Sequence, residues 1–193
     1  MISLPDWAFY PLASLIAGGM IAGALSFGDV THRAPEEIRA EGLAYEGDSL
    51  NAITTGNGLT AELLTEGDTT FLRVSAVRGP LDGIQSAGAF FTLSPDELSA
   101  LEGHRVRFTF RVRQAAPAPA DGVRFNFFVP NVGQDSWQRH TVSDEYGEII
   151  FDLSPQSCDW AHGYIGIWPD WDNDRNAVDI ARVTLTALEP LEC

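Results

Sequence analysis

The chain contains no lysine. All 12 of its basic residues are arginine, against 27 acidic residues, and the formal net charge is −15. That balance argues against nucleic acid as a partner, because such binding rests on neutralising phosphates. Cysteine is equally scarce. Cys158 and Cys193 are the two present, too few for a disulfide framework or a four-cysteine zinc site. The four histidines, His32, His104, His140 and His162, share no HxxxH or HExxH spacing. GxSxG, the P-loop, GxGxxG and CxxCH are all missing, so no catalytic or cofactor constellation stands out and the chain reads as a non-enzyme. What is present suits one folded domain: 193 residues, 45% hydrophobic and 10% aromatic, a composition that argues against disorder.

The longest uncharged run is WAFYPLASLIAGGMIAGALSF, Trp7 to Phe27. As a helix its 21 residues would reach about 31 Å, matching a hydrocarbon core of roughly 30 Å. A cleavable secretory signal is the rival reading. It is disfavoured by the length, by Asp6, and by the lack of a preceding Arg or Lys. Ser14, Gly18, Ala22 and Ser26 recur every four residues, and Gly19 and Gly23 add a GxxxG, so this face is expected to pack on another membrane helix. Arg33 and Arg39, counted by the positive-inside rule, would put the following domain in the cytoplasm. Pairing of Cys158 with Cys193 would need an oxidising compartment instead. The expectation is a single-pass bacterial inner-membrane protein with a cytoplasmic N-terminus: an anchor over 1–28, a polar linker over 29–42, and a periplasmic β-sandwich over 43–193.

Beyond the linker, period-two patterns dominate. RVRFTFRVR, Arg105 to Arg113, alternates perfectly, with Val106, Phe108, Phe110 and Val112 on one face and arginines with Thr109 on the other. Val123, Phe125, Phe127 and Val129 repeat the pattern. Further strands are expected over Leu59–Leu64, Phe71–Val77, Ala87–Leu93, Trp137–Val142, Glu148–Leu153, Tyr164–Trp168 and Val178–Leu188. Only SPDELSAL, Ser94 to Leu101, looks helical, with Ser94 as N-cap and Glu97 completing a capping box. Short strands at this spacing predict a mainly β fold, a two-sheet antiparallel sandwich. The strands FLRVS, RFTFRV and VRFNFF and a final VDIARVTLTAL make the stretch Leu43 to Leu188 resemble the galactose-binding-like jelly rolls that include many carbohydrate-binding modules. The resemblance implies a fold that binds rather than catalyses, and in which a structural calcium is common.

Three groups of residues are candidates for a site. Trp137, Trp168 and Trp171, with Tyr164, could stack on sugar rings or anchor a protein contact, and Trp168 and Trp171 flank an acidic loop that should leave them exposed. Asn126 and Gln138 could bond hydroxyls nearby. Asp170, Asp172 and Asp174 alternate as calcium ligands do, although Arg175 stands where an EF-hand needs glycine; a solvated acidic loop is the simpler reading. The arginine face of Arg105, Arg107, Arg111 and Arg113, extended by Arg124, should meet acidic residues on neighbouring strands rather than an acidic partner. Two functions follow from different classes. One is a non-catalytic accessory subunit of an inner-membrane complex, respiratory or photosynthetic, whose sandwich contacts other subunits. The other is a membrane-tethered carbohydrate-binding module.

Overall fold

A computed structural model describes residues 10–11, 13–20, 33–79, 88–129, 137–155, 158–172 and 174–192. The chain divides into two compact units, Met1–Arg33 and Ala34–Cys193. In the first, residues 10–11 and 13–20 are helical, and Tyr10, Leu15, Ile16 and Met20 are exposed. Among the described residues no helix is long and apolar enough to cross a membrane. Ala22, Gly23 and Ser26 of the small-residue strip lie outside the described residues, and nothing approaches within 4 Å of where Gly18 or Gly19 would carry a Cβ. Among the described residues the expected membrane-spanning helix is therefore not supported.

The second unit is a sandwich of two antiparallel sheets. Its strands are β1 (Leu43–Glu46), β2 (Thr54–Thr55), β3 (Leu59–Glu66), β4 (Thr69–Ala76), β5 (Ala89–Thr92), β6 (His104–Gln114), β7 (Gly122–Phe128), β8 (Gln138–Thr141), β9 (Gly147–Leu153), β10 (Tyr164–Pro169) and β11 (Ala177–Pro190). The larger sheet runs β3-β4-β11-β6-β9, with β1 also paired to β11; the smaller runs β10-β7-β8, and β2 and β5 form a ribbon. β11 organises the larger sheet. Its first half pairs with β4 and its second with β1 on one edge, while β6 runs along the other. Ala181 is the extra residue where the β6 register shifts, a bulge that bends the strand.

Alternation builds the core. Phe108 and Phe110 of β6 face Phe125 and Phe127 of β7 across the sandwich, all four fully buried, and Phe110 stacks on Phe125 at 3.7 Å between ring centroids. Burying each such ring stabilises the fold by roughly 1.5–3 kcal/mol. The segment read as linker is partly domain. Helix Pro35–Glu41 buries Ile38, and Arg39 donates to the carbonyls of Ser99 and Ala100 at 3.0 and 3.2 Å, so the compact unit begins at Ala34. On the solvent side of the larger sheet the arginines find the expected acids. Asp152 accepts from Arg107 at 2.8 and 2.9 Å and from Arg105 at 2.5 Å, which holds its carboxyl well below the usual carboxylate range. Arg113 reaches Glu66 at 2.6 Å, and Arg111 lies over the Tyr146 ring.

His140 of β8 stacks on Phe151 at 5.4 Å with its Nε2 buried and without a hydrogen-bond partner. Burial holds its pKa below the ordinary value. The unfolded chain therefore takes up this proton first. The stability it shelters is complete above the unfolded pKa of about 6.5 and falls as pH drops through that value toward the folded pKa. Urea unfolding of H140F should lose less stability than the wild type as pH is lowered across this window. Equal losses would show that His140 does not carry the effect.

Candidate functional site

Strand register sets the outer face of the smaller sheet. Arg139, Arg124 and Trp168 share one row across β8, β7 and β10; Asn126 and Gly166 share the next, and Phe128 and Tyr164 the third. One end of this face is thus charged and the other aromatic. Trp137, just before β8, packs edge-on against Trp168 at 6.0 Å and against Phe128 at 5.6 Å. Tyr164 meets Phe90 edge-on at 5.4 Å. The crowding is possible because Gly88 has no side chain. At φ +73°, a Cβ there would sit 2.5 Å from the Ile167 carbonyl oxygen and 3.1–3.2 Å from the Trp168 and Trp137 rings.

At the charged end the chain leaves β10 through Asp170 and Trp171. Asp170 Oδ1 accepts from Arg124 Nε at 3.1 Å and Oδ2 accepts from Arg139 Nε at 2.5 Å, while its backbone N–H donates to the Gly122 carbonyl at 2.8 Å. Gly122 makes room for this arrangement, since a Cβ there would meet Asp170 Oδ2 at 2.6 Å and Arg139 Nη2 at 2.8 Å. Arg175 donates to Asp121 at 2.5 Å and to the Pro119 carbonyl at 3.3 Å. The backbones of Asp172 and Arg175 exchange hydrogen bonds of 3.1 and 2.9 Å, closing a tight turn. Arg124, Arg139, Arg175, Asp121, Asp170 and Asp172, together with Gly79, line a cavity of about 320 Å³, and Trp171, 44% exposed, forms part of its wall.

The candidates separate on this frame. Trp171 is exposed, as expected of the acidic loop. Trp168 is not: it is 2% exposed, and its indole Nε1 donates to the Arg78 carbonyl at 2.9 Å. The loop's charge suggested exposure, but β10 runs on to Pro169, and Trp168 is covered by a segment 90 residues earlier. Trp137, Tyr164 and Gln138 are half-buried. Asn126 is buried, its Oδ1 accepting from the Phe127 backbone at 2.8 Å. Arg124 belongs to this smaller sheet and does not extend the arginine face of β6.

The calcium reading fares poorly. Asp170 is engaged by two guanidiniums, and among the described residues no three His, Cys, Asp or Glu side chains converge as metal ligands. The alternating aspartates do not fit a bound calcium. Cys193, one half of the expected disulfide, lies outside the described residues. Sequence reasoning did not place Asp121, Arg139 or Arg175 at the site. Their partners stand 31 to 54 residues away, beyond any local pattern.

No family model matches the chain, and no curated protein matches it. Among solved structures it is similar to the CBM22-1-CBM22-2 tandem domain from Paenibacillus barcinonensis Xyn10C. The TM-score is 0.51 at 11% identity, over 79% of this chain and 46% of that one, so the match spans less than half the tandem. It is also similar to the CBM22-1 xylan-binding domain of the same protein, with a TM-score of 0.50 at 12% identity, over 76% of this chain and 94% of that one. At such identities the likeness speaks to fold alone: this chain has the two-sheet β-sandwich of carbohydrate-binding modules.

Proposed function

We propose that the sandwich beginning at Ala34 is a non-catalytic glycan-binding module. The observation that carries the reading is the polar cavity on the smaller sheet, walled by an exposed indole and by fixed guanidinium and carboxylate groups, on a fold shared with carbohydrate-binding modules. A sugar offers an apolar C–H face to a ring and hydroxyls that both donate and accept, and this wall supplies each complement. One neighbour is a xylan-binding domain, so xylan heads the test panel. Affinity electrophoresis against xylan, mannan and β-glucans should give saturable retardation with at least one. Unretarded migration through all of them overturns the proposal.

The accessory-subunit reading rests on the uncharged run over 7–27 and gains nothing from the fold. Membrane attachment, a periplasmic location and the Cys158–Cys193 bond are carried as a separate proposal, resting on the sequence. A disulfide closing this loop would be worth about 3–4 kcal/mol in the chain-entropy model. Thiol labelling of the denatured, unreduced protein tests it: two reactive thiols would remove both the bond and the argument for an oxidising compartment.

A further inference from the structure

We infer that the cavity beside Trp171 takes an uncharged saccharide, one or two sugar units at a chain end, and rejects acidic sugars. The inference rests on the glycan-binding reading and names the substrate class of that site. Three arginines around a cavity point first to a carboxylate or sulfate ligand. Here each is already engaged: Arg124 and Arg139 share Asp170, and Arg175 holds Asp121. With Asp172 also in the wall, three positive charges meet three negative ones, in a chain whose net charge is −15. An incoming carboxylate would gain little attraction. Capturing Arg124 or Arg139 would also take one of its two cationic partners from the carboxylate of Asp170, which is 19% exposed at its side chain, a costly exchange for a mostly buried charge.

An uncharged sugar leaves the pairs intact. Each guanidinium carries five N–H donors and each carboxylate about four acceptor positions, so paired groups keep sites that vicinal hydroxyls can bridge. The pairs are also held in place before any ligand arrives. Backbone bonds fix the chain on both sides of Trp171, from Asp170 to Gly122 and from Asp172 to Arg175, and such preorganisation lowers the entropic cost of binding. The volume, about 320 Å³, is at the lower end of the range for small-ligand sites, roughly 300–1,000 Å³. It suits a chain end rather than a length of polymer.

The test is calorimetric titration of the full chain with xylobiose, cellobiose and mannobiose, and with a glucuronic-acid-capped disaccharide, at 20 and 500 mM NaCl. A neutral disaccharide should bind with affinity changing less than about twofold between the two salts, because no net charge is neutralised. W171A should weaken it at least tenfold with an unchanged melting temperature, and W171F should retain most of it. Tighter binding of the capped disaccharide, falling more than tenfold with salt, overturns the neutral class while glycan binding stands. Undiminished binding in W171A, or binding of polymer without any disaccharide, overturns the cavity as the site while glycan binding again stands. Absence of binding to every sugar and polysaccharide overturns the glycan-binding reading itself.

Discussion

Replacing Asp179 with alanine is expected to destabilise the sandwich by about 3 kcal/mol and to lower its melting temperature by about 6–12 °C. The carboxylate is fully buried in the middle of the larger sheet. It accepts two hydrogen bonds from Arg73, at 2.7 and 2.9 Å, and one from Arg113 at 3.2 Å. Phe71 lies beneath both guanidiniums, and Tyr146 packs on Arg113 from the other side. Removing the acid leaves two cations facing each other across β11. The lower end of the range for breaking a buried pair applies, because each arginine keeps about a quarter of its side chain exposed and Arg113 retains Glu66. D179L combined with R73L should recover much of the loss, since replacing both partners with apolar groups avoids the stranded charge. A double-mutant cycle read by chemical denaturation checks this, and a loss below about 1 kcal/mol for D179A would show that the network contributes little.

The two tryptophans flanking Pro169 and Asp170 should behave as opposites. W168A is expected to cost about 3–5 kcal/mol, because it empties a buried site packed by Trp137 and frees the carbonyl of Arg78. W171A should stay within about 0.5 kcal/mol of the wild type, as substitutions of exposed side chains usually do. The contrast governs how binding data are read. Loss of glycan retention in W168A would report a damaged domain, whereas the same loss in W171A would report a missing contact. Thermal melts of both variants decide the matter, and equal melting temperatures would show that Trp168 is not the core residue its burial indicates.

Much of the fold was legible because its signals are local. The alternation over Arg105–Arg113 became β6 nearly residue for residue, and both halves of the Ser94–Glu97 capping box form, at 3.3 and 2.7 Å. β1 escaped notice because Leu43–Glu46 is four residues long and its partner on β11 lies some 140 residues away. The same distance problem hid the site. Trp171 could be found from its acidic surroundings, but Asp170 acquires its role from Arg124 and Arg139, on two other strands. An aspartate in a D-x-D-x-D run looks like a calcium ligand until the fold brings guanidiniums to it. Trp168 misled for a related reason: alternation places it on the outer face of β10, and only the tertiary fold covers that face.

The place of β11 in the larger sheet carries a consequence for the order of events during synthesis. β4 is complete at Ala76 and β6 at Gln114, yet the strand that joins them ends at Pro190. At about 5–20 residues per second, a ribosome takes roughly 6–23 s to go from the end of β4 to the end of β11. Once β6 has emerged within that interval, the nascent chain displays two strands whose inner edges await the same missing neighbour. Such edges are templates for pairing with other chains. The larger sheet of a domain wired this way cannot close progressively as it emerges. It must be kept apart from other copies until its last long strand arrives, and then close in one late, long-range step.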